Sequence, residues 1–517
     1  MPAVVARELA LPREGAALEG LREYAFRHQI LHLVTYDTVL KRTKRELHAK
    51  VAQWLASGIG LRASDFLAAT AEHYERAGDN ARAAEFHTRA AEHARERFGH
   101  DAVLGHVAKA LALLDQQGGS APGDALLRWR MLRVREQTLD LQARRDEQAA
   151  DIDELERLAG VLDSDAKRAT AAWRRSYRAL RIGDWAACEA AARAGMACAE
   201  RAGDRGLRLH AMRLLASARA MQGDLDGGKA LAREALDEAR EHGLHANEEA
   251  LLNTLIVVAN LQGDVMGNLD LSRRDLLLNR EIGDRRSEAI GLSNLGVAWL
   301  ELGELEQAGR DSEAALAMLR TNGDRVIEGA TLCNLSDIAL MRGDAASALA
   351  LAQSALDVLG STQARDRELD ARLRLGHAEL ALCRFDAARS AFDEMRRAAQ
   401  AIASPWRHDA VAGLAQVALA QGDGALALRE LQAILSHVAT GGTLDGTVKP
   451  RLIELTCHQV LARADDPRAA EWLTRAHGAL QAQATSIDDV GLRQSFLQNI
   501  PHHRDIVLSF EAAKASR

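Results

Sequence analysis

A near match to a phosphate-binding loop is the first candidate for chemistry in this sequence. The segment from Gly223 to Ala230 carries the spacing GxxxxGK, in which glycine amides cradle a phosphate group and the lysine binds it. Ala230 stands where a Ser or Thr should hold Mg²⁺, and no strand pattern precedes the segment. Both glycines are also accounted for by a repeat described below. The sequence therefore argues against nucleotide binding here, and we expect no cofactor.

Two histidine pairs could bind a metal ion or take part in catalysis. His28 and His32 are four residues apart on one predicted helix, a spacing that suits shared ligation. No nearby Cys or carboxylate completes a site, so structural or surface roles are favoured. His502 and His503 are adjacent and point in different directions on a helix. We therefore expect no metal site and no catalytic residue.

A basic run near the N-terminus could contact phosphates. It consists of Lys41, Arg42, Lys44 and Arg45. No interleaved aromatic residues and no clear reading helix accompany it, so a solvated helix face or a contact with a neighbouring domain is favoured. A transcription regulator that contacts DNA through this run is a weaker alternative. It would be excluded if the chain produced no shift in a DNA mobility assay.

The elements that position all these residues are set by a glycine repeat. One series, spaced 40 residues apart, consists of Gly183, Gly223, Gly263, Gly303 and Gly343. A second series lies halfway between and consists of Gly203, Gly243, Gly283 and Gly323. An acidic residue follows nearly every one. A fixed period of this length is typical of stacked structural units.

Each interval between glycines predicts one helix. About 17 residues separate consecutive glycines, enough for four to five helical turns. Between Glu288 and Gly303 the apolar residues fall mostly on one broad helical face. The glycine ends the helix, because it adopts the left-handed conformation at little cost, and the acidic residue suits the next helix start. The sequence predicts an all-α protein, a right-handed superhelical solenoid of antiparallel helix pairs.

Small residues at fixed places indicate close helix packing. Five residues after each glycine of the first series stand Cys188, Gly228, Asn268, Ala308 and Ala348. Leu295-Gly296, Trp299, Ala308 and Ala315 resemble the tetratricopeptide repeat pattern. That repeat usually has 34 residues, so the 40-residue unit implies longer helices, as in the tetratricopeptide-like arrays of kinesin light chain and of some bacterial regulators.

The resemblance also implies a peptide-binding face. In tetratricopeptide arrays the first helix of each pair lines the concave side, and an Asn just before the Leu-Gly commonly binds a peptide backbone. Asn294 and Asn334 match that place, nine residues before their glycines, while Thr254 and Arg374 occupy it in the flanking units. We expect these four residues to contact a peptide. The alternative is that each Asn braces a neighbouring helix.

Two terminal segments resemble bacterial multidomain signalling ATPases. The stretch from Glu23 to His48 is similar to the segment that follows the P-loop module and leads into the repeats in class III nucleotidyl cyclases and LuxR-type regulators. The stretch from Leu492 to Arg504 is similar to their C-terminal tail. The resemblance implies that this chain is the C-terminal part of a longer polypeptide, or of a relative that lost its catalytic modules.

Composition sets few limits on function. The net charge of −7 over 517 residues gives no general case for binding nucleic acid or membranes. No apolar run is long enough to span a bilayer, and no signal peptide is visible. The five cysteines form no CxxC motif and are typical of small core residues in a reducing compartment. We expect a cytoplasmic protein.

The sequence divides into six predicted segments. They are a connector (1–20), a small helical or winged-helix-like segment adjoining an absent ATPase module (21–60), the first repeat-like helices (61–120), an irregular helical linker (121–164), the regular array (165–485) and a capping tail (486–517).

Two hypotheses about function follow. The first is a non-enzymatic scaffold that binds a protein or peptide on its concave face and regulates a signalling output. The second is the sensor part of a nucleotidyl cyclase or signalling ATPase, whose catalytic modules precede residue 1.

Overall fold

A computed structural model describes most of the chain. The described residues are 10–12, 24–58, 66–97, 99–116, 122–142, 144–360, 362, 364–402 and 404–515. The chain divides into two compact units, residues 1–171 and 172–517, and each is described by itself. Over these described ranges, every helix is too short or too polar to cross a membrane.

The first unit contains a small strand pair and a series of helices. The strands β1 (Ala10–Pro12) and β2 (Tyr24–Phe26) are antiparallel, with Leu11 opposite Ala25. The helices are α1 (Gln29–Thr38), α2 (Lys41–Gly58), α3 (Leu67–Ala77), α4 (Asn80–Glu96), α5 (His100–Gln116), α6 (Pro122–Leu141) and α7 (Arg145–Val161). Strand β1 lies in the segment that was expected to be a connector (1–20), and β2 lies in the segment after it (21–60). Strands of three residues are too short to show an alternating pattern in the sequence.

Helices α6 and α7 occupy the region expected to be an irregular helical linker. They pack against each other around Trp129, Leu155 and Leu158. No glycine closes α7; instead Asp163 adopts a left-handed φ of 43°. Asp163 lies 20 residues before Gly183, so the spacing of the repeat continues here although the glycine that marks it is absent.

The second unit is a regular series of helix pairs. Its helices are α8 (Asp165–Ile182), α9 (Trp185–Ala202), α10 (Arg205–Met221), α11 (Leu225–Glu241), α12 (His245–Gln262), α13 (Val265–Ile282), α14 (Arg285–Glu301), α15 (Leu305–Asn322), α16 (Arg325–Met341), α17 (Ala345–Leu359), α18 (Arg365–Ala381), α19 (Phe385–Ala401), α20 (Arg407–Ala420), α21 (Gly424–Ala439), α22 (Pro450–Arg463), α23 (Ala469–Thr485), α24 (Val490–Gln498) and α25 (Pro501–Ala515). The chain is thus an all-α solenoid of helix pairs, as the sequence predicts.

The glycines end helices as the repeat predicts. Gly183, Gly223, Gly263, Gly303 and Gly343 have φ between 67° and 98°, a left-handed conformation that side chains disfavour. The following aspartates cap the next helix; Asp224, for example, accepts a hydrogen bond from the amide of Gly227 at 3.0 Å. Cys383 takes the glycine's place after α18 with a φ of 57°.

Small residues bring the two helices of a pair together. Gly228 of α11 lies against the backbone of α10, where an added Cβ would come within 2.8 Å of the Ala216 carbonyl oxygen. In α19 the reverse arrangement occurs, because Phe392 fills the space left by Gly376 of α18 and Gly413 of α20. These contacts confirm the close packing that the small residues predict.

The C-terminal helices return to the middle of the array. Leu480, Phe496, Ile500 and Ile506 belong to the same apolar cluster as Leu302, the residue that follows α14. The Asn499 side chain donates a hydrogen bond to the Gly303 carbonyl oxygen at 3.1 Å, across 196 residues of sequence. The end of the second unit is therefore bound to its own fourth helix pair.

Candidate functional site

The first helices of the pairs in the second unit (α8, α10, α12, α14, α16 and α18) stack on one another and share what we call the inner face. It is defined by the residues six positions before each closing residue: Tyr177, Ser217, Val257, Val297, Asp337 and His377. Exposure along this face changes sharply. The Val257 side chain is 51% exposed, Val297 is half-buried, and Asp337 is 3% exposed. The inner face is therefore open at α12 and covered at α16.

The chain's own C-terminal segment contributes to this cover. Lys449, just before α22, places its ammonium nitrogen 2.8 Å from Oδ1 of Asp337. The backbone amides of Val448 and Lys449 each donate to the Asp409 carboxylate of α20 at 3.0 Å. Burial raises the pKa of Asp409 to about 6 despite these two hydrogen bonds. The segment entering α22 is thus held by two buried carboxylates.

The predicted peptide-contacting residues have partners within the array. Asn294 of α14 donates a hydrogen bond to Oδ1 of Asn253 of α12 at 3.1 Å, which links two first helices. Thr254 is buried and donates to the carbonyl oxygen of Ala250, one turn earlier in its own helix. Asn334 is half-buried, and no hydrogen bond to its side chain occurs within the described ranges.

Arg374 has the strongest set of partners of the four. Its guanidinium lies 2.9 Å from Asp337 and 2.7 Å from Asp370. Burial would lower the pKa of Arg374, but the two carboxylates outweigh burial and raise it. The structure thus brings Arg374 together with Lys449 around Asp337, and it places Asn294 beside Asn253. Peptide contact by Asn294, Asn334, Thr254 and Arg374 stays a prediction.

Helices α8 and α10 carry a group of half-buried residues that the sequence analysis did not single out. Trp173 of α8 stacks on His210 of α10, with ring centroids 4.9 Å apart and an interplanar angle of 21°. The Arg213 guanidinium lies 5.9 Å from the Tyr177 ring centre. Burial, with a smaller effect from Arg213, lowers the pKa of His210 to about 4. Trp173 and Arg213 both stand ten residues before a closing glycine, a repeat position that could have revealed them.

The near match to a phosphate loop has a structural explanation. Gly228 and Lys229 lie inside helix α11, not in a loop between a strand and a helix. Position 228 needs a glycine because the backbone of α10 at Ala216 lies too close for a side chain. The Lys229 ammonium nitrogen lies 2.7 Å from the Gln262 side-chain oxygen and 3.4 Å from Asp264. This geometry gives no cradle of amides for a phosphate.

The histidine pair His28 and His32 and the basic run belong to the first unit. His28 and His32 are exposed, and the described residues contain no group of three or more His, Cys, Asp or Glu that could hold a metal ion. In the basic run, Arg42 pairs with Glu46 at 3.1 Å, and the Lys44 ammonium lies 4.4 Å from the Tyr36 ring centre. The basic run is therefore largely a solvated helix surface.

Comparison with known proteins identifies the repeat. Residues 287–361 match the family model described as "Tetratricopeptide repeat". This match, together with the helix pairs, confirms the predicted tetratricopeptide-like array. A search of curated protein sequences finds no match.

Several solved structures share features of this fold at low identity. One is a Signal Transduction ATPase with Numerous Domains that has a tetratricopeptide repeat sensor, from Pyrococcus horikoshii (14% identity, 80% of this chain, 66% of that chain, TM-score 0.42). A second is a Rap protein complexed with Competence and Sporulation Factor (13% identity, 67% of this chain, 99% of that chain, TM-score 0.46). A third is BtubC from P. vanneervenii (20% identity, 43% of this chain, 91% of that chain, TM-score 0.35).

Proposed function

We propose that this tetratricopeptide-like chain is a non-enzymatic scaffold that binds a protein or peptide partner on its inner face and regulates a signalling output. One observation carries the proposal: in its covered part, at Asp337 of α16, that face already binds Lys449 of the chain's own C-terminal region. At α12 the same face is open, since the Val257 side chain is 51% exposed.

The contacts made within the chain support a polypeptide ligand. A side-chain amide donates to a backbone carbonyl at Gly303, and a lysine is bound by a buried carboxylate at Asp337. Apolar side chains such as Phe496 fill the space beside them. Backbone hydrogen bonds, a charge pair and apolar anchors are the means by which protein grooves recognise extended or helical peptides. Such a ligand suits an elongated repeat surface.

Three of the five cysteines are poor candidates for a catalytic nucleophile. Cys188, Cys333 and Cys457 are buried, and burial raises the pKa of each thiol. A thiol with a raised pKa supplies little thiolate, so these cysteines are poor nucleophiles. Ser176, whose hydroxyl donates to the Cys188 carbonyl oxygen at 2.8 Å, is buried as well.

A displayed library of random peptides tests the proposal. The library would be selected on the full chain, and recovered peptides would be measured on Val257→Arg and, as a control, on Leu277→Arg. Val257 is 51% exposed on the inner face of α12, whereas Leu277 is 58% exposed on α13. We expect peptides that bind the full chain and the Leu277 variant but lose at least tenfold in affinity on the Val257 variant. Selected peptides that bind all three proteins equally would contradict the proposal.

A second candidate is the regulatory part of a nucleotidyl cyclase or signalling ATPase. Ile30 and Leu40 are 75% and 76% exposed, and the neighbouring Leu47 and Trp54 are exposed as well. Apolar side chains exposed at this density favour contact with another domain. An immunoblot of source cells tests it. A native polypeptide well above about 100 kDa supports this candidate, since added domains have about 100 to 150 residues each, and a band near 56 kDa contradicts it.

A further inference from the structure

Two pairs of histidines join neighbouring helices in the first unit. The Nδ1 atoms of His48 of α2 and His73 of α3 lie 2.8 Å apart, and the Tyr36 hydroxyl of α1 lies 2.8 Å from the other ring nitrogen of His48. The Nδ1 atoms of His87 of α4 and His106 of α5 lie 3.1 Å apart. His48 and His87 are almost completely buried, with 8% and 0% of each residue exposed. Each pair is therefore an imidazole–imidazole hydrogen bond across the contact of two packed helices.

The protonation state decides whether such a bond can exist. One imidazole must donate from its N–H, and the other must accept at a bare nitrogen. A pair that holds one extra proton still meets this condition, because one ring stays neutral. With a second extra proton, every ring nitrogen carries a hydrogen, so two donors and two positive charges face each other in a buried contact. The second proton therefore breaks the hydrogen bond and separates the rings.

The surroundings of the first pair disfavour extra protons. Burial lowers the pKa of His48, and the positive charges of Arg76 and Lys44 add to the effect. Burial likewise lowers the pKa of His73, with smaller effects from His48 and Arg76. Glu72, a carboxylate on α3, attracts a proton to His73 but does not offset burial. The first pair is thus held in its neutral form by the fold.

The surroundings of the second pair act in the same way. The Nε2 atom of His87 is buried and has no hydrogen-bond partner in the described part of the chain, and an oxygen of Glu75 lies 3.6 Å away. Burial lowers the pKa of His87, and the charges of His106 and Lys109 add to the effect, which Glu75 only partly offsets. Burial, with Lys109, also lowers the pKa of His106 despite the attraction of Glu72.

Both pairs therefore make the stability of the first unit depend on pH in the same direction. The pKa values of all four histidines in the folded unit lie below the ordinary value of 6.5. As pH falls through 6.5, the unfolded chain binds protons that the folded unit does not bind. The contribution of the neutral pairs is complete above the unfolded pKa and is lost as pH falls towards the folded values.

We propose that the first unit is an acid-sensitive switch, in which the contacts of α2 with α3 and of α4 with α5 open when the two histidine pairs each take up a second proton. Helices α3 and α4 also pack against each other, so both pairs lie in one continuous run of four helices. This inference does not depend on the proposed function, because the four histidines lie outside the set of residues that defines the inner face.

Hydrogen exchange measured by mass spectrometry on the full chain tests the proposal, because it reports the opening of each helix separately. Exchange is followed at about pH 7.5, 6.5 and 5.5 in the presence of EDTA, and the rates are corrected for the pH dependence of exchange in an unstructured peptide. The double variant His73→Asn, His106→Asn keeps a neutral amide near each Nδ1 position and cannot be protonated there. His28→Asn is the control, since His28 is exposed in the same unit.

In the unmodified chain we expect the corrected exchange of α2 to α5 to be at least tenfold faster at pH 5.5 than at pH 7.5. One proton that only the open state binds changes the opening equilibrium about tenfold per pH unit. In the double variant the increase should fall below about threefold, because two of the four titrating rings are gone. The single variants should each give an intermediate increase, and His28→Asn should behave like the unmodified chain.

Two results of this experiment overturn the proposal. One is a corrected exchange rate in α2 to α5 that stays constant between pH 7.5 and pH 5.5. The other is an acid-induced increase of equal size in the double variant and in the unmodified chain, since protons then act at other groups.

An NMR titration of the histidine-labelled full chain keeps the proposal testable if the double variant fails to fold. The imidazole signals are assigned from the single variants His73→Asn and His106→Asn. We expect all four paired rings to titrate below 6.5. A pair that takes up both protons above this pH contradicts the proposal.

Discussion

The ammonium of Lys449 lies 2.8 Å from a carboxylate oxygen of Asp337, a residue 112 positions earlier in the chain. Arg374 binds the other oxygen at 2.9 Å. Burial would raise the pKa of Asp337, but these two cations outweigh burial and hold the pKa below its usual value. One buried carboxylate thus ties the segment that begins α22 to the inner face of α16 and α18.

Lys449→Met should destabilise the chain. The substitution leaves Asp337 buried with Arg374 as its remaining cation, and breaking a buried ion pair costs about 3 to 5 kcal/mol. We expect a loss of about 2 to 4 kcal/mol in the free energy of unfolding, since one partner remains. Urea unfolding measures it, and Lys514→Met, at an exposed position of α25, is the control. Equal stability of the two variants would show that the ion pair does not hold the C-terminal segment.

The same pair makes stability depend on pH at the acid end. The pKa of Asp337 is lower in the folded chain than in the unfolded one, so the unfolded chain binds more protons in the interval between the two values. The contribution of Asp337 is complete above its unfolded pKa and is lost as pH falls through the folded value. In Lys449→Met the pKa of Asp337 in the folded chain should rise, because one of its two cationic partners is gone. The part of the acid-induced loss of stability that comes from Asp337 should therefore shrink or move to higher pH in this variant.

The repeat was predictable from the sequence because its causes are local. Gly183 and its equivalents end helices through their own backbone conformation, and the small residues five positions later pack against the preceding helix. Contacts at fixed short spacings leave a period in the sequence. The contact of Asn499 with Gly303 joins residues 196 positions apart and leaves no such period. The covering of the inner face therefore could not be predicted from the pattern.

The candidate site was only partly accessible to sequence reasoning for a related reason. Asn294 was placed correctly on a first helix, but its hydrogen bond to Asn253 depends on how two helices stack. Whether an arginine is paired depends on carboxylates in other repeats. Arg374, nine residues before Cys383, is paired with Asp337 and Asp370, and its place in the repeat does not reveal either partner.

Gly376→Ala should destabilise the chain, and Gly105→Ala should stabilise it. A Cβ added at Gly376 would come within 2.5 Å of the Phe392 ring, which is fully buried between Gly376 and Gly413 and has no room to move. Overpacking of this kind costs about 1 to 3 kcal/mol. Gly105 lies in helix α5 with open space around it, so alanine should add about 0.5 to 1 kcal/mol. Thermal unfolding of both variants checks the prediction. If both substitutions changed the stability in the same direction, the tight packing at Phe392 would be contradicted.

Gly343→Ala and Cys383→Gly should also act in opposite directions. These residues hold equivalent places in adjacent repeats, with φ of 82° and 57°. A left-handed conformation costs a residue with a Cβ about 1 to 2 kcal/mol relative to glycine. The free energy of unfolding should therefore fall by about 1 kcal/mol in Gly343→Ala and rise by a similar amount in Cys383→Gly. Cys383 is exposed, so the change removes no core contact.

Asp275 should make the chain less stable as pH rises towards 8. Its side chain is fully buried in α13, and neither carboxylate oxygen has a hydrogen-bond partner. Burial, with a smaller effect from Glu249, raises the pKa to about 7, above the ordinary value of 3.8. Between these values the folded chain binds more protons than the unfolded chain, so stability falls as pH rises.

Asp275→Asn tests this because it keeps the shape and removes the charge. Each pKa unit corresponds to about 1.4 kcal/mol, so the variant should be about 2 to 4 kcal/mol more stable than the unmodified chain at pH 8 and nearly equal to it at pH 4. Glu301, whose pKa burial also raises to about 7, leaves a remaining slope in the variant. Urea unfolding at a series of pH values measures both slopes. A stability difference that does not change between pH 4 and pH 8 would mean that Asp275 does not titrate in this range.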